Sequence, residues 1–158
     1  MSDSDPIAEF FAYYPEFVYD RDKDTMTEFE RLCRSRQWGR RGKRKRQALY
    51  ALQHAIGEQF TVAFGNQDDD YQNWYNLCGT LGINPIPESI TQCRKAIKGV
   101  YVNIFDVVDA QRQGRKATPM FSNVHLLRAY TFDNEMIFPK RRAKREGLLK
   151  YLLREITD

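Results

Sequence analysis

Apolar positions recur at spacings of three and four along most of this chain, the signature of helices that each bury one face. The longest such stretch is residues 87–114, PESITQCRKAIKGVYVNIFDVVDAQRQG. Here Ile90, Cys93, Ile97, Val100, Ile104 and Val107 share a stripe that Tyr101, Phe105 and Val108 widen. A polar stripe runs the other way through Asn103, Asp106, Ala110 and Gln113. Ser89 with Gln92 reads as a capping box, and Gly114 as a stop. The spacing predicts a central helix over about 89–113, roughly 36 Å long at ~1.5 Å per residue. Gly99 in its middle and the strand-favouring run VYVNIF leave open a kink, or an extended piece over 100–105.

The other elements follow by the same reading. Asp5 before Pro6 starts a short aromatic helix, IAEFFAYY, that Pro15 ends. Thr25 with Glu28 is a second capping box, opening a helix to about Gln37 with Met26, Phe29, Leu32 and Cys33 on one side. After the Trp38-Gly39 loop a long helix carries Leu49, Leu52, Ala55, Ile56, Phe60 and Phe64, and Gly65-Asn66 closes it. Asp68–Asp70 favours the start of a helix with Tyr71, Trp74, Leu77, Cys78 and Leu81 inward. Ser122 caps a short helix with Val124, Leu126, Leu127 and Tyr130, and TFDNEMIF is ambiguous between a turn and a short extended piece. Pro139 starts a last helix with Leu148, Leu149, Leu152, Leu153 and Ile156 inward. The expectation is an all-α, irregular bundle of about seven helices around the 89–113 helix, one domain with an acidic arm over about 1–24.

Composition agrees with a packed domain. A chain of 158 residues with 42% hydrophobic and 13% aromatic content can bury a bulky core. It has no apolar run of 18 residues, and its SDSDP start does not read as a signal peptide, so the expectation is a cytosolic origin and no membrane partner. Cys33, Cys78 and Cys93 are odd in number and widely spaced, without a CxxC, and read as core thiols rather than disulfides or metal ligands. Charge is uneven. Residues 1–30 hold nine acids against Arg21 and Lys23, while the remainder holds 23 bases against 12 acids.

The segments LCGTLGINPIPESITQCRKAI, VNIFDVVD and FPKRRAKREGLLKYLLREI, with Trp74, Cys78, Gly82, Pro87, Cys93, Asn103, Asp106, Asp109, Phe138 and Pro139 among the matching positions, carry a resemblance. Over most of residues 10–156 the chain resembles a group of small intracellular helical proteins of filamentous fungi that carry no assigned activity. The resemblance implies one compact intracellular domain and no mechanism.

Two basic clusters are the strongest functional signal. Six of the seven residues 40–46 are basic (Arg40, Arg41, Lys43, Arg44, Lys45, Arg46), and five of the six residues 140–145 (Lys140, Arg141, Arg142, Lys144, Arg145). Both fall where a helix is expected to begin, although exposed cations at a positive dipole end cost about 0.3–1 kcal/mol each. A phosphate partner reverses the sign of that cost. The expected function is therefore a non-enzymatic binding module, nuclear in location, that contacts nucleic acid or another polyanion, with Trp38 beside Arg40 as a candidate for stacking on bases. PKRRAKR has the form of a nuclear-import signal, and neutralisation by Asp20, Asp22 and Asp24 or by Asp68–Asp70 is the bland reading of the clusters. The alternative is a protein-interaction module or homodimer using the N-terminal aromatics, cytoplasmic or nuclear, with the basic runs serving import alone. An enzyme would need Asp106 and Asp109, three residues apart, to act with Asn103 on a proton or Mg²⁺, and a polar helix face accounts for them equally well. No cofactor motif, metal-ligand spacing or nucleophile motif is present around His54 or His125.

Overall fold

The computed structural model describes residues 4–139 and 147–153, and these form an all-α bundle. Helix α1 (Pro6–Ala12) starts as its sequence requires: the Asp5 carboxylate accepts from the Ala8 N–H at 3.2 Å, and Pro6 fills a position that needs no donor. Its stripe Ile7, Phe10 and Phe11 is buried against α3 (Lys43–Phe64), and the Ile7 N–H donates to Gln59 Oε1 at 3.0 Å. Helix α3 is the longest element, 22 residues, and ends where Gly65 takes a positive φ of 75°. Helix α4 (Tyr71–Thr80) is capped by Asp70 and buries Trp74, Leu77 and Cys78. Helix α7 (Val124–Asp133) is capped by Asn123, one residue after the expected Ser122, and the segment that follows is irregular through Pro139. A short α8 (Leu149–Leu152) closes the described chain against α5 (Ile90–Lys98). The expected start of a longer last helix at Pro139 leads into residues outside the described ones.

Two local expectations need correction. The capping box at Thr25 does not form. Helix α2 (Thr25–Ser35) has Asp24 at its cap position without a side-chain bond, and Thr25 turns its hydroxyl and its N–H to Asp109, at 2.6 and 3.1 Å. Glu28 instead accepts from the Asp20 N–H and from Arg31. Nor is there one helix over 89–113. Helix α5 stops at Lys98 with Gly99 as its cap, and α6 (Ile104–Gln113) begins anew after Asn103. Between them Tyr101 pairs with Phe121 in an isolated antiparallel bridge, the Phe121 N–H donating to the Tyr101 carbonyl at 2.9 Å. Three local preferences combine here: a glycine that holds a helix poorly, a Val-Tyr-Val run that favours extended backbone, and an asparagine suited to start a helix.

The break lets α6 turn into the centre. Every residue from Ile104 to Ala110 is buried, so no face of its first two turns meets water. It packs on α2, α3 and α4. Asn103 fixes its start: the side-chain oxygen accepts from the Phe105 N–H at 2.8 Å, and the amide donates to Thr131 Oγ1 at 3.1 Å and to the Met136 carbonyl at 2.9 Å. One buried side chain thus begins α6 and ties down the end of α7.

Replacing Asn103 by Ala leaves a buried N–H and a buried carbonyl without partners. The expected loss is about 2–4 kcal/mol of unfolding free energy. Ser89→Ala removes the exposed cap of α5, whose hydroxyl accepts from the Gln92 N–H at 3.2 Å, and is expected to cost about 0.5–1 kcal/mol. Urea titrations of the two variants, compared at equal slope, check the ranking; equal losses would contradict it.

Candidate nucleic-acid interface

The first basic cluster occupies the turn from α2 to α3. Residues 39–42 fold back on themselves, the Gly42 N–H donating to the Gly39 carbonyl at 2.9 Å, and α3 starts at the next residue. Gly42 at the cap position has no side chain, no acid stands in the first turn, and the N–H groups of that turn receive no side-chain cap. Arg40, Arg41, Lys43, Arg44 and Arg46 are exposed, and their side chains have no ion pair or hydrogen bond among the described residues. Lys45 differs. Its side chain is 13% exposed and its ammonium lies 3.2 Å from the Glu135 carboxylate, so it ties α3 to the turn after α7. Five of the six cations are thus presented together at a positive helix end.

Several of the acids that could have covered them are engaged elsewhere. Asp5 takes a bidentate contact from Arg112 at 2.8 and 3.0 Å and a further one from Arg21 at 3.2 Å. Asp24 accepts from Gln113 and from Arg115, at 2.9 and 3.1 Å. The Asp20 carboxylate turns back to the Asp22 N–H. Asp68 faces Lys150, Arg94 and the Tyr151 hydroxyl, and Asp70 caps α4. The acidic arm therefore answers the arginines at the end of α6. The second cluster, Lys140, Arg141, Arg142, Lys144 and Arg145, lies outside the described residues.

Trp38 is half-buried. Its ring meets Tyr14 edge to face at 5.6 Å and packs against the core, which leaves only part of it for a ligand. The N-terminal aromatics are divided in the same way. Ile7, Phe10 and Phe11 are buried in the chain's own core, so the contact expected of them as a partner surface narrows to Tyr13 and Val18, each 79% exposed. Tyr13 lies inside the aromatic segment named from the sequence, which did not single it out as the exposed ring. The signal was there: Ile7, Phe10, Phe11 and Tyr14 share one helical stripe, and Tyr13 falls off it.

Asp106 and Asp109 are buried in the middle of the bundle, not on a solvated face. Asp109 holds the start of α2 through Thr25, and Asp106 accepts from the Tyr130 hydroxyl at 2.7 Å. Neither lines the grooves found at the surface of the described residues, and no group of three or more metal-ligating side chains occurs among those residues. Burial pushes the Asp106 carboxyl up to about 7 against the opposing Tyr130 hydrogen bond, with Asp109 and Asp24 adding to the rise. Burial likewise pushes Asp109 up to about 6 against the bonds from Thr25. All three cysteines are free and buried, and burial beside Cys93 raises the Cys78 thiol to about 12, which makes it a poor nucleophile. No helix among the described residues is long and apolar enough to cross a membrane.

Comparison of the chain with protein-family models, with curated proteins and with solved structures gives no match.

The raised carboxyls have a consequence for stability. A carboxyl whose folded pKa lies above its unfolded value of about 3.9 favours folding while protonated, and that contribution is lost as pH rises through the folded value. The wild-type protein is expected to lose stability between pH 5 and pH 8. Asp106→Asn keeps an acceptor for Tyr130 without the charge, and is expected to remove on the order of 3 kcal/mol of that loss. Melting curves of both proteins at the two pH values test this, and parallel shifts would refute it.

Proposed function

We propose that this protein is a non-enzymatic binding module whose ligand is nucleic acid or a similar polyanion, held at the start of α3. One observation carries the reading: Arg40, Arg41, Lys43, Arg44 and Arg46 are exposed and unpaired among the described residues at an uncapped helix start, while Asp5, Asp24 and Asp68 are bound to other partners. Such an arrangement is unfavourable for the isolated fold and favourable once an anion arrives. Backbone N–H groups, the helix dipole and five side chains then act with the same sign. Arginines form most of the set, which suits phosphate because a guanidinium can offer two parallel donors.

The mode of binding follows from the residue types. Contacts to phosphate fix position and carry no base information, so affinity is expected to be mainly electrostatic and weakly dependent on sequence. The second basic run, Lys140, Arg141, Arg142, Lys144 and Arg145, supplies either further phosphate contacts or, as PKRRAKR, a nuclear-import signal, and a nuclear location belongs to this proposal.

Anisotropy titrations of labelled DNA and RNA across a salt series test the reading. Micromolar or tighter binding is expected at low salt. The logarithm of the affinity should fall with the logarithm of salt at a slope near −4 for about five neutralised phosphates, at roughly 0.7–0.9 per contact. A variant with Gln at positions 40, 41, 43, 44 and 46 should flatten that slope to near −1 or abolish binding. No binding at low salt, or a slope that the variant leaves unchanged, would remove the proposal.

A further inference from the structure

Beside the free cations a groove of about 1010 Å³ runs between α1 and α3, from Arg44 to Glu58. Its size is at the upper end of the range for sites that take small organic groups, ~300–1,000 Å³. Its two ends differ in chemistry. At one, Tyr13, Tyr14 and Trp38 form a chain of rings meeting edge to face at 5.3 and 5.6 Å, with Arg36, Arg44 and Gln47 around them. The Arg36 guanidinium lies 5.7 Å from the centre of the Tyr14 ring. Glu9 stands one turn before Tyr13 on α1, and towards the other end stands Glu58, paired to His54 at 2.5 Å.

The geometry points to this groove as the seat of an unpaired base, which makes the preferred ligand a single-stranded nucleic acid. The inference rests on the polyanion reading above and specifies its ligand. Charge complementarity fixes which way the strand lies. Phosphates are drawn to Arg44 and to Arg40, Arg41 and Lys43 at the start of the same helix, and are repelled from the end at Glu58. A nucleotide anchored by its phosphate at Arg44 has an aromatic surface within the same groove. Tyr13 supplies it: one ring edge rests on Tyr14, and the side chain is 79% exposed. Stacking on such a ring is tolerant of base identity, and Gln47 adds a donor and an acceptor beside it. A duplex keeps its bases inside and can offer the groove only its backbone, so the aromatic end would stay unused.

The test uses the full chain and four labelled probes of equal length, about twelve nucleotides: oligo-dT, oligo-dA, an abasic phosphodiester strand and a duplex. Oligo-dT and oligo-dA are expected to bind about tenfold tighter than the abasic strand and the duplex. Tyr13→Ala should weaken single-strand binding about tenfold, leave the salt slope unchanged and leave the abasic strand unaffected, while Tyr13→Phe should restore wild-type affinity. Because the Tyr13 side chain is largely in solvent, the melting temperature should not move. Equal binding of all four probes, with no effect of Tyr13→Ala, would overturn the groove assignment and leave the polyanion surface standing. Binding of none of them would overturn both. Concentration-dependent mass in light scattering that Tyr13→Ala abolishes, without strand binding, would give the groove to a second copy of the chain and overturn the assignment.

Discussion

Burial of the first two turns of α6 on all sides is the constraint that the rest of the bundle answers. A helix enclosed in this way is ordinarily apolar throughout, yet α6 and its cap carry Asn103, Asp106 and Asp109 inside the core. Each buried polar group must find a partner, because an unsatisfied one costs roughly 1–3 kcal/mol. The partners come from different elements: Thr25 of α2 for Asp109, Tyr130 of α7 for Asp106, Thr131 and the Met136 carbonyl for Asn103. At the far end Arg112, itself almost wholly buried, reaches Asp5 and Tyr19 and so fastens α1. Polar contacts of this kind contribute little net energy, but they admit few alternative packings, so they fix which helix meets α6 and in what register.

The same contacts explain the distribution of charge at the surface. The acids of residues 1–30 look, in sequence, like a counter-charge for any basic stretch. Two of them are drawn to the C-terminal end of α6, where Arg112 and Arg115 also complement the helix dipole. Electrostatic satisfaction of the interior thereby draws these acids to α6, and Glu135 is the carboxylate that pairs with a cation at the start of α3. Lys45, the one cation of that run bound to a carboxylate, is the one whose side chain turns inward.

Much of this was legible in the chain. The all-α class, the stripes of α1 through α5, the caps Asp5, Asp70 and Ser89 and the terminators Gly65 and Gly114 follow from spacing and local chemistry. Asp106 and Asp109 did not follow, since periodicity shows that they share a face but not that two other helices cover it. Thr25 was misread for a related reason. Its own Glu28 offered the nearest partner in sequence, and Asp109, 84 residues away, is nearer in space. The break before Asn103 was half-visible in Gly99 and the Val-Tyr-Val run, but local propensity alone does not decide between a kink and two helices. In the candidate site the cationic run stood out at once, whereas the groove depends on how α1 lies across α3.

The enclosure of α6 also ranks the chain's segments by how they open. The amides of its first two turns lie beneath α2, α3 and α4, so no local fraying uncovers them. They trade hydrogen for deuterium only when those neighbours come away together, at a free energy close to that of global unfolding. The first turn of α3 is at the other extreme, since no side chain caps its N–H groups. The face proposed for a ligand and the segment that holds the molecule together thus occupy opposite ends of one scale of protection.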